Sequence, residues 1–183
     1  MDLPVNQKAR LTLITGAARS GKTRLALQWA ATLPKPRAYI ATAQSRDPEM
    51  AERIRRHQEE RGAAFQTVEE PLALSSLLQK ITGPPSIIIV DCLTLWISNL
   101  LEDAKEETQL VRRSLDDLLI VLKVLKTPLI LIGNEVGWGI VPENSLARTF
   151  RDLSGRLHQD IARIADQVIL MVAGIPMIVK GNR

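Results

Sequence analysis

The run Gly16-Ala17-Ala18-Arg19-Ser20-Gly21-Lys22-Thr23 limits what this chain can fold into more than any other stretch. It fits G-x-x-x-x-G-K-[ST], a loop that leaves a strand, turns tightly and enters a helix. The flanks agree with that placement. Leu11–Thr15 is an apolar run that reads as a buried strand, and Arg24–Ala30 reads as a helix with Leu25 and Trp29 stacked four apart. Gly16 and Gly21 allow the turn, so that successive N–H groups point inward at an anion. Lys22 supplies a cation that reaches the β and γ phosphates of a nucleotide, and the Thr23 hydroxyl can ligate Mg²⁺. The helix that starts near Lys22 aims its positive end at the same place.

Beyond the loop, strands and helices alternate. Arg37–Thr42 is a short strand, and a charged helix runs from Pro48 to Gly62 with Asp47 as its cap. Phe65–Val68 is the next strand and Leu72–Ile81 the next helix, followed by a break at Gly83-Pro84-Pro85. Ser86–Asp91 is β-branched and ends in an acid; helices over Leu93–Leu101 and Thr108–Lys126 follow it. Pro128–Gly133 is another buried strand, Asn134–Asn144 a Gly-rich loop, and Glu143–Ala165 a long helix. Strands at Gln167–Val172 and Ile175–Lys180 close the chain. This order predicts one α/β phosphate-loop domain over residues 1–183, a mostly parallel sheet flanked by helices, with ligands at the carboxyl ends of the strands. The first ten residues are polar and expected to fray.

Composition narrows the partners. Hydrophobic residues make up 45% of the 183 and charged ones 24%, ordinary values for a globule. A net charge of +4 is too small to argue for nucleic acid, and 3% aromatic content offers few platforms for stacking bases. No nucleic-acid partner is expected. Cys92 is the one cysteine, which excludes an internal disulfide and suits a reducing cytoplasm. The apolar runs are strand-length, so neither a membrane span nor a signal peptide is expected.

Three further sites carry chemistry. Asp91 ends the most apolar strand, where an acid can hold Mg²⁺; the competing reading is a cap for the helix at Leu93. His57 lies on a stripe with Met50, Ile54 and Arg61, ringed by Arg53, Arg56 and Arg61. Those charges oppose protonation of the imidazole and suit a neutral nucleophile beside a triphosphate. The competing reading is an exposed helix histidine with no role. Glu135 lies at a strand tip in a loop with Gly133, Gly137 and Gly139, which reads as a ligand loop or as a plain loop with a packed Trp138. A solvated helix face accounts for most of Arg148, Arg151, Arg156 and Arg163.

These motifs together resemble one family. T-G-A-A-R-S-G-K-T, A-T-A-Q-S-R-D-P-E-M, R-I-R-R-H-Q-E-E-R, the strand ending in Asp91, N-E-V-G-W-G-I-V-P-E-N and A-R-T-F-R-D-L-S-G-R-L-H-Q are similar to the bifunctional adenosylcobinamide kinase/adenosylcobinamide-phosphate guanylyltransferases, from Leu11 to Lys180. The resemblance implies a recombinase-ATPase-like fold and a homotrimer. It implies GTP and ATP as substrates, with Mg²⁺, acting on adenosylcobinamide and its phosphate. His57 would take GMP from GTP and pass it on, and Lys22 would serve both reactions. Nucleotide contacts would fall on Gly16 to Thr23, on Thr42, Ala43 and Gln44, on Glu59, Glu60, Arg61 and Gly62, and on Glu69 and Asp91. Thr23 and Asp91 would hold the metal.

The chain departs from the family pattern at four places. Ala17 stands for a second glycine, Arg56 precedes His57 where a second histidine is frequent, Asp91 stands for glutamate, and His158 stands for asparagine. His158 is not assigned a catalytic role. Two other readings of the same residues stay open: a simple phosphate-loop kinase of another small alcohol, and an ATPase or GTPase module. Neither predicts a covalent nucleotide.

Overall fold

Central strands of a parallel sheet are buried on both faces, so they need near-continuous apolar sequence. The β1 strand (Leu11–Gly16), β4 (Ile88–Asp91) and β5 (Leu129–Ile132) meet that demand, and all six residues of β1 are buried. In the computed structural model, which describes residues 6, 8–44, 52, 55, 59, 64–81 and 85–181, they form the middle of a seven-stranded sheet. With β2 (Ala38–Ala41), β3 (Gln66–Glu69), β6 (Gln167–Val172) and β7 (Ile175–Lys180), the strand order is β3-β2-β4-β5-β1-β6-β7. Every pairing is parallel except β6 with β7. The two are joined by a tight turn in which Ala173 and Gly174 both have positive φ, the hairpin geometry that matches strand twist.

Side chains alternate across a strand, so each face of the sheet has its own core. On one face Leu11, Leu13, Ile40 and Val90 pack against helices α2 (Leu74–Lys80), α3 (Leu93–Asp103), α4 (Thr108–Val124) and α5 (Ser145–Ile164). On the other, Ile14, Tyr39, Ile89 and Ile132 pack against Leu25 and Trp29 of α1 (Lys22–Ala31). The four-residue spacing read from the sequence thus places both α1 anchors in the core. Each such side chain contributes about 2 kcal/mol by leaving water. Val111, Leu115, Leu118 and Leu122 give α4 its buried stripe, and Leu153, Leu157 and Ile161 give α5 its own.

Element boundaries fall within a few residues of the sequence reading. One expectation changes at the amino end, where fraying was expected. The Arg10 guanidinium donates to the carbonyls of Leu122 and Leu125, both at 2.7 Å, and Ala9 is buried. Arg10 also donates its backbone N–H to Asp166 at 2.8 Å. Of the expected helix over Pro48–Gly62, the described residues Glu52, Arg55 and Glu59 are helical; the rest lies outside the described residues. Among the described residues no helix is long and apolar enough to cross a membrane.

Candidate functional site

The carboxyl tips of β1, β2, β4 and β5 converge at one edge of the sheet, and the phosphate loop sits on that edge. Its shape is imposed from two sides. Gly174 in the β6–β7 turn donates to the Ser20 carbonyl at 3.1 Å, and Glu135 beyond β5 donates its N–H to the Gly16 carbonyl at 3.1 Å. Gly16 has φ +144° and no room for a side chain, since a Cβ there would lie 2.5 Å from the Met171 carbonyl. Ala17, Ala18 and Arg19 are exposed at the loop's crest, while Ser20 and Lys22 are buried. The Lys22 ammonium donates to the carbonyls of Gly16 at 3.0 Å and Ala17 at 2.6 Å. It therefore lies across the mouth of the loop, where a phosphate oxygen would be a stronger, charge-assisted partner.

Asp91 is tied to the same loop. Its Oδ2 accepts from the Thr23 hydroxyl and from the Tyr39 hydroxyl, each at 2.7 Å. The capping alternative does not hold: Cys92 is the N-cap of α3, its Sγ accepting from Leu95 N at 3.4 Å. Burial, and then the neighbouring Asp91 charge, pushes the Cys92 thiol up to about 11, so it is an inert structural group. Thr23 and Asp91 together present a hydroxyl and a carboxylate, the hard oxygen donors that Mg²⁺ takes while keeping several waters, and so the pair fits that ion. Among the described residues no cluster of three or more acids, histidines and cysteines could hold a metal. A cation here would complete its shell with phosphate and water oxygens.

The remaining expected contacts divide. Thr42 is fully buried and its hydroxyl is committed to Cys92, accepting from the N–H at 2.8 Å and donating to the carbonyl at 2.7 Å. Its backbone is engaged as well: the N–H donates to the Asp91 carbonyl at 3.0 Å and the carbonyl accepts from the Asn99 side-chain amide at 2.8 Å. Ala43 and Gln44 follow it, half-buried, beyond the tip of β2, and Glu69 ends the edge strand β3. Glu59 is exposed and ion-paired with Arg55. His57, Glu60, Arg61 and Gly62, with Arg53 and Arg56, lie outside the described residues.

Several features were not read from the sequence. Arg151 does not face solvent as part of a charged stripe. It donates to the carbonyls of Gly137 at 2.6 Å and Ile140 at 3.3 Å, and Arg148 donates to that of Pro142 at 2.9 Å. The loop after β5 is thus clamped to α5. Trp138 is not packed: it is 75% exposed on that loop, beside Ile140. Tyr39 is the chain's single tyrosine, mid-strand, and a buried phenol needs a partner; that was the available signal for its contact with Asp91.

Glu135 and His158 also meet. His158, buried on α5, places Nδ1 3.6 Å from Glu135 Oε1, a polar contact longer than a hydrogen bond. The His158 imidazole is the main influence holding the Glu135 carboxyl below its ordinary range. Partial burial opposes it, and the Thr15 hydroxyl and the Lys22 charge reinforce it.

Comparison with known proteins agrees with this geometry. The family model described as cobinamide kinase / cobinamide phosphate guanyltransferase matches residues 12–179. The bifunctional adenosylcobalamin biosynthesis protein CobP of Pseudomonas aeruginosa is 44% identical over 170 residues, covering 93% of this chain and 97% of the relative. CobU of Salmonella typhimurium, described in the same terms, is 39% identical, covering 93% of this chain and 99% of the relative. CobU of Escherichia coli is 35% identical with the same coverage. Among solved structures, the flagellar accessory protein FlaH of Methanocaldococcus jannaschii superposes with a TM-score of 0.52 at 15% identity, over 94% of this chain and 79% of that one. At that identity the likeness speaks for the α/β fold alone.

Proposed function

The chain belongs to the cobinamide kinase / cobinamide phosphate guanyltransferase family, and from that premise we propose how one phosphate loop serves two transfers. Its reactions are phosphorylation of cobinamide and guanylyl transfer to the cobinamide phosphate that results. The observation that carries the proposal is Lys22 held across the loop mouth with Thr23 and Asp91 joined beside it. Both transfers need the charge of a triphosphate neutralised at that point.

In the first reaction, ATP or GTP gives its terminal phosphoryl group to the hydroxyl of adenosylcobinamide. In the second, a His57 ring nitrogen attacks the α-phosphorus of GTP. An N–P bond forms, the α–β bridging P–O bond breaks, and pyrophosphate leaves with the electron pair. A phosphate oxygen of adenosylcobinamide phosphate then attacks the same phosphorus. The N–P bond breaks, the imidazole is restored and adenosylcobinamide-GDP departs. The covalent stage splits one hard transfer into two easier ones. The match of R-I-R-R-H-Q-E-E-R to the family pattern supports His57 in this role.

The loop N–H groups from Gly16 to Thr23 cradle the phosphates in this reading, and the segments at Thr42–Gln44, Glu59–Gly62 and Glu69 extend the nucleotide site. Thr23 and Asp91 would hold Mg²⁺, whose charge would offset that of the phosphate oxygens. We further assign the protein to the cytoplasm, which a lone buried cysteine suits, and to a homotrimer on the strength of the family resemblance. Light scattering on the purified chain tests the assembly.

Intact-mass measurement after exposure to GTP tests the carrier. One GMP adduct is expected, absent in His57→Ala, with α-labelled and not γ-labelled GTP marking the protein. His57→Ala should still phosphorylate cobinamide. Absence of any adduct on the wild-type chain during active turnover would remove the covalent step.

A further inference from the structure

The two reactions differ in one proton. An alcohol acceptor must lose a proton as its oxygen bonds to phosphorus, whereas a phosphate acceptor is already an oxyanion near neutral pH. A protein running both reactions at one loop needs a general base for the first alone.

The described acids at the sheet edge can be sorted by what they already do. Asp91 accepts two hydroxyl protons on a single oxygen. Glu70 accepts the backbone N–H groups of Leu72 and Ala73, at 3.0 and 2.7 Å, ahead of α2. Glu69 ends β3, at the sheet edge, with β2, β4 and β5 between it and β1. Glu135 instead follows β5, the strand paired directly with β1, and its N–H bonds the first carbonyl of the phosphate loop. Its carboxylate is within the field of Lys22 and its side chain is 24% exposed.

The support behind Glu135 is built to fix a carboxylate. His158 fills the space above Gly133 so closely that a Cβ on Gly133 would lie 2.2 Å from its Nε2. That Nε2 is buried with no hydrogen-bond partner, while Nδ1 faces Glu135. The ring's polar contact is thereby directed at Glu135. One helical face does both jobs: Arg151, seven residues earlier on α5, clamps the loop that continues from Glu135.

We propose that Glu135 is the general base of the phosphorylation reaction and that His158 is its positioning residue. The inference rests on the kinase reading given above. The acceptor oxygen bonds to the γ-phosphorus, the β–γ bridging P–O bond breaks, and the nucleoside diphosphate leaves with the electron pair. The hydroxyl proton passes to the Glu135 carboxylate and from there to water. Guanylyl transfer makes no call on Glu135.

Glu135→Gln tests this in the full-length enzyme, because it keeps shape and removes basicity. Expected is a fall of about 100-fold or more in kcat for cobinamide phosphorylation, with KM for ATP within about threefold. The GMP adduct and its transfer to supplied cobinamide phosphate should persist. His158→Ala should lower the same kcat without raising KM, and His158→Asn, which retains an N–H donor toward the carboxylate, should recover most of it. Phosphorylation by Glu135→Gln within threefold of wild type would overturn the assignment. So would an equal loss of both transfers, which would make Glu135 a nucleotide-site residue. A wild-type enzyme that forms the GMP adduct but never phosphorylates cobinamide would instead sink the kinase reading itself.

Discussion

The Thr23 hydroxyl donates to Asp91 Oδ2 across 2.7 Å, joining the first turn of α1 to the tip of β4. The same oxygen receives the Tyr39 hydroxyl from β2, also at 2.7 Å. One carboxylate thus ties three elements together at the edge that carries the phosphate loop. Tyr39 is 2% exposed, and Asp91 is an acceptor for its hydroxyl. Asp91→Ala is expected to cost about 1–3 kcal/mol, because it removes a charged acceptor shared by two hydroxyls. Tyr39→Phe removes the donor itself and should cost about 1 kcal/mol. Urea unfolding of both variants checks the order; a costlier Tyr39→Phe would contradict the argument. Asp91→Ala should also lose phosphorylation activity, whereas Tyr39→Phe should retain most of it.

Lys22→Ala should weaken both transfers, by about 100-fold or more each, since the same ammonium would neutralise the phosphates in either. Separate assays of cobinamide phosphorylation and of GMP adduct formation decide the point. Undiminished adduct formation in this variant would mean that the two transfers use different nucleotide sites.

Arg151 places one guanidinium across the carbonyls of Gly137 and Ile140. A lysine has one point of donation and cannot span them as a planar fork does. Arg151→Lys should therefore loosen residues 137–140 nearly as much as Arg151→Ala. Hydrogen exchange at those amides is expected to rise by about tenfold, with global stability changed by less than about 1 kcal/mol. Exchange unchanged in Arg151→Ala would show that the loop holds its shape without the clamp.

What could be read from the chain beforehand depended on how local the cause was. The phosphate loop is fixed by its own glycines and flanking periodicity, so Gly16 to Thr23 and α1 were legible. The buried strands were legible from their unbroken apolar runs. The loop after β5 was recognised as unusual, but its holder was not, because Arg151 meets Gly137 from fourteen residues away. Arginine on an amphipathic helix reads as solvated until the partner is placed beside it. The Asp91 ambiguity had the same origin. Cap and ligand look alike in sequence, and only the Cys92 sulfur on Leu95 separates them.

Glu135 contributes to a pH dependence whose sign follows from its environment. Its folded-state pKa lies below the usual value of 4.5, set first by His158, with Thr15 and Lys22 adding to it. A carboxyl with a depressed native pKa stabilises the fold above its unfolded value, and that contribution disappears as pH falls through the native one. Wild type should therefore exceed Glu135→Gln in stability at pH 7, and the difference should shrink between pH 4.5 and lower values. Chemical denaturation at pH 7 and at about pH 3 measures it. A gap that grows on acidification would reverse the sign and discard the contact with His158 as its cause.

Gly133 and His158 offer the strictest check on how α5 seats against β5. A Cβ on Gly133 would come within 2.2 Å of His158 Nε2 and 2.8 Å of Cε1, distances no contact sustains. The ring is 8% exposed and packed on α5, so it has little freedom to withdraw. Gly133→Ala in the wild-type background should then cost about 1–3 kcal/mol through overpacking. In a His158→Ala background the ring is gone, and the same substitution should cost less than about 0.5 kcal/mol. The two changes are thus expected to be strongly non-additive in urea unfolding. Equal cost in both backgrounds would show that the glycine is required by its own backbone and that the imidazole does not occupy the space above it.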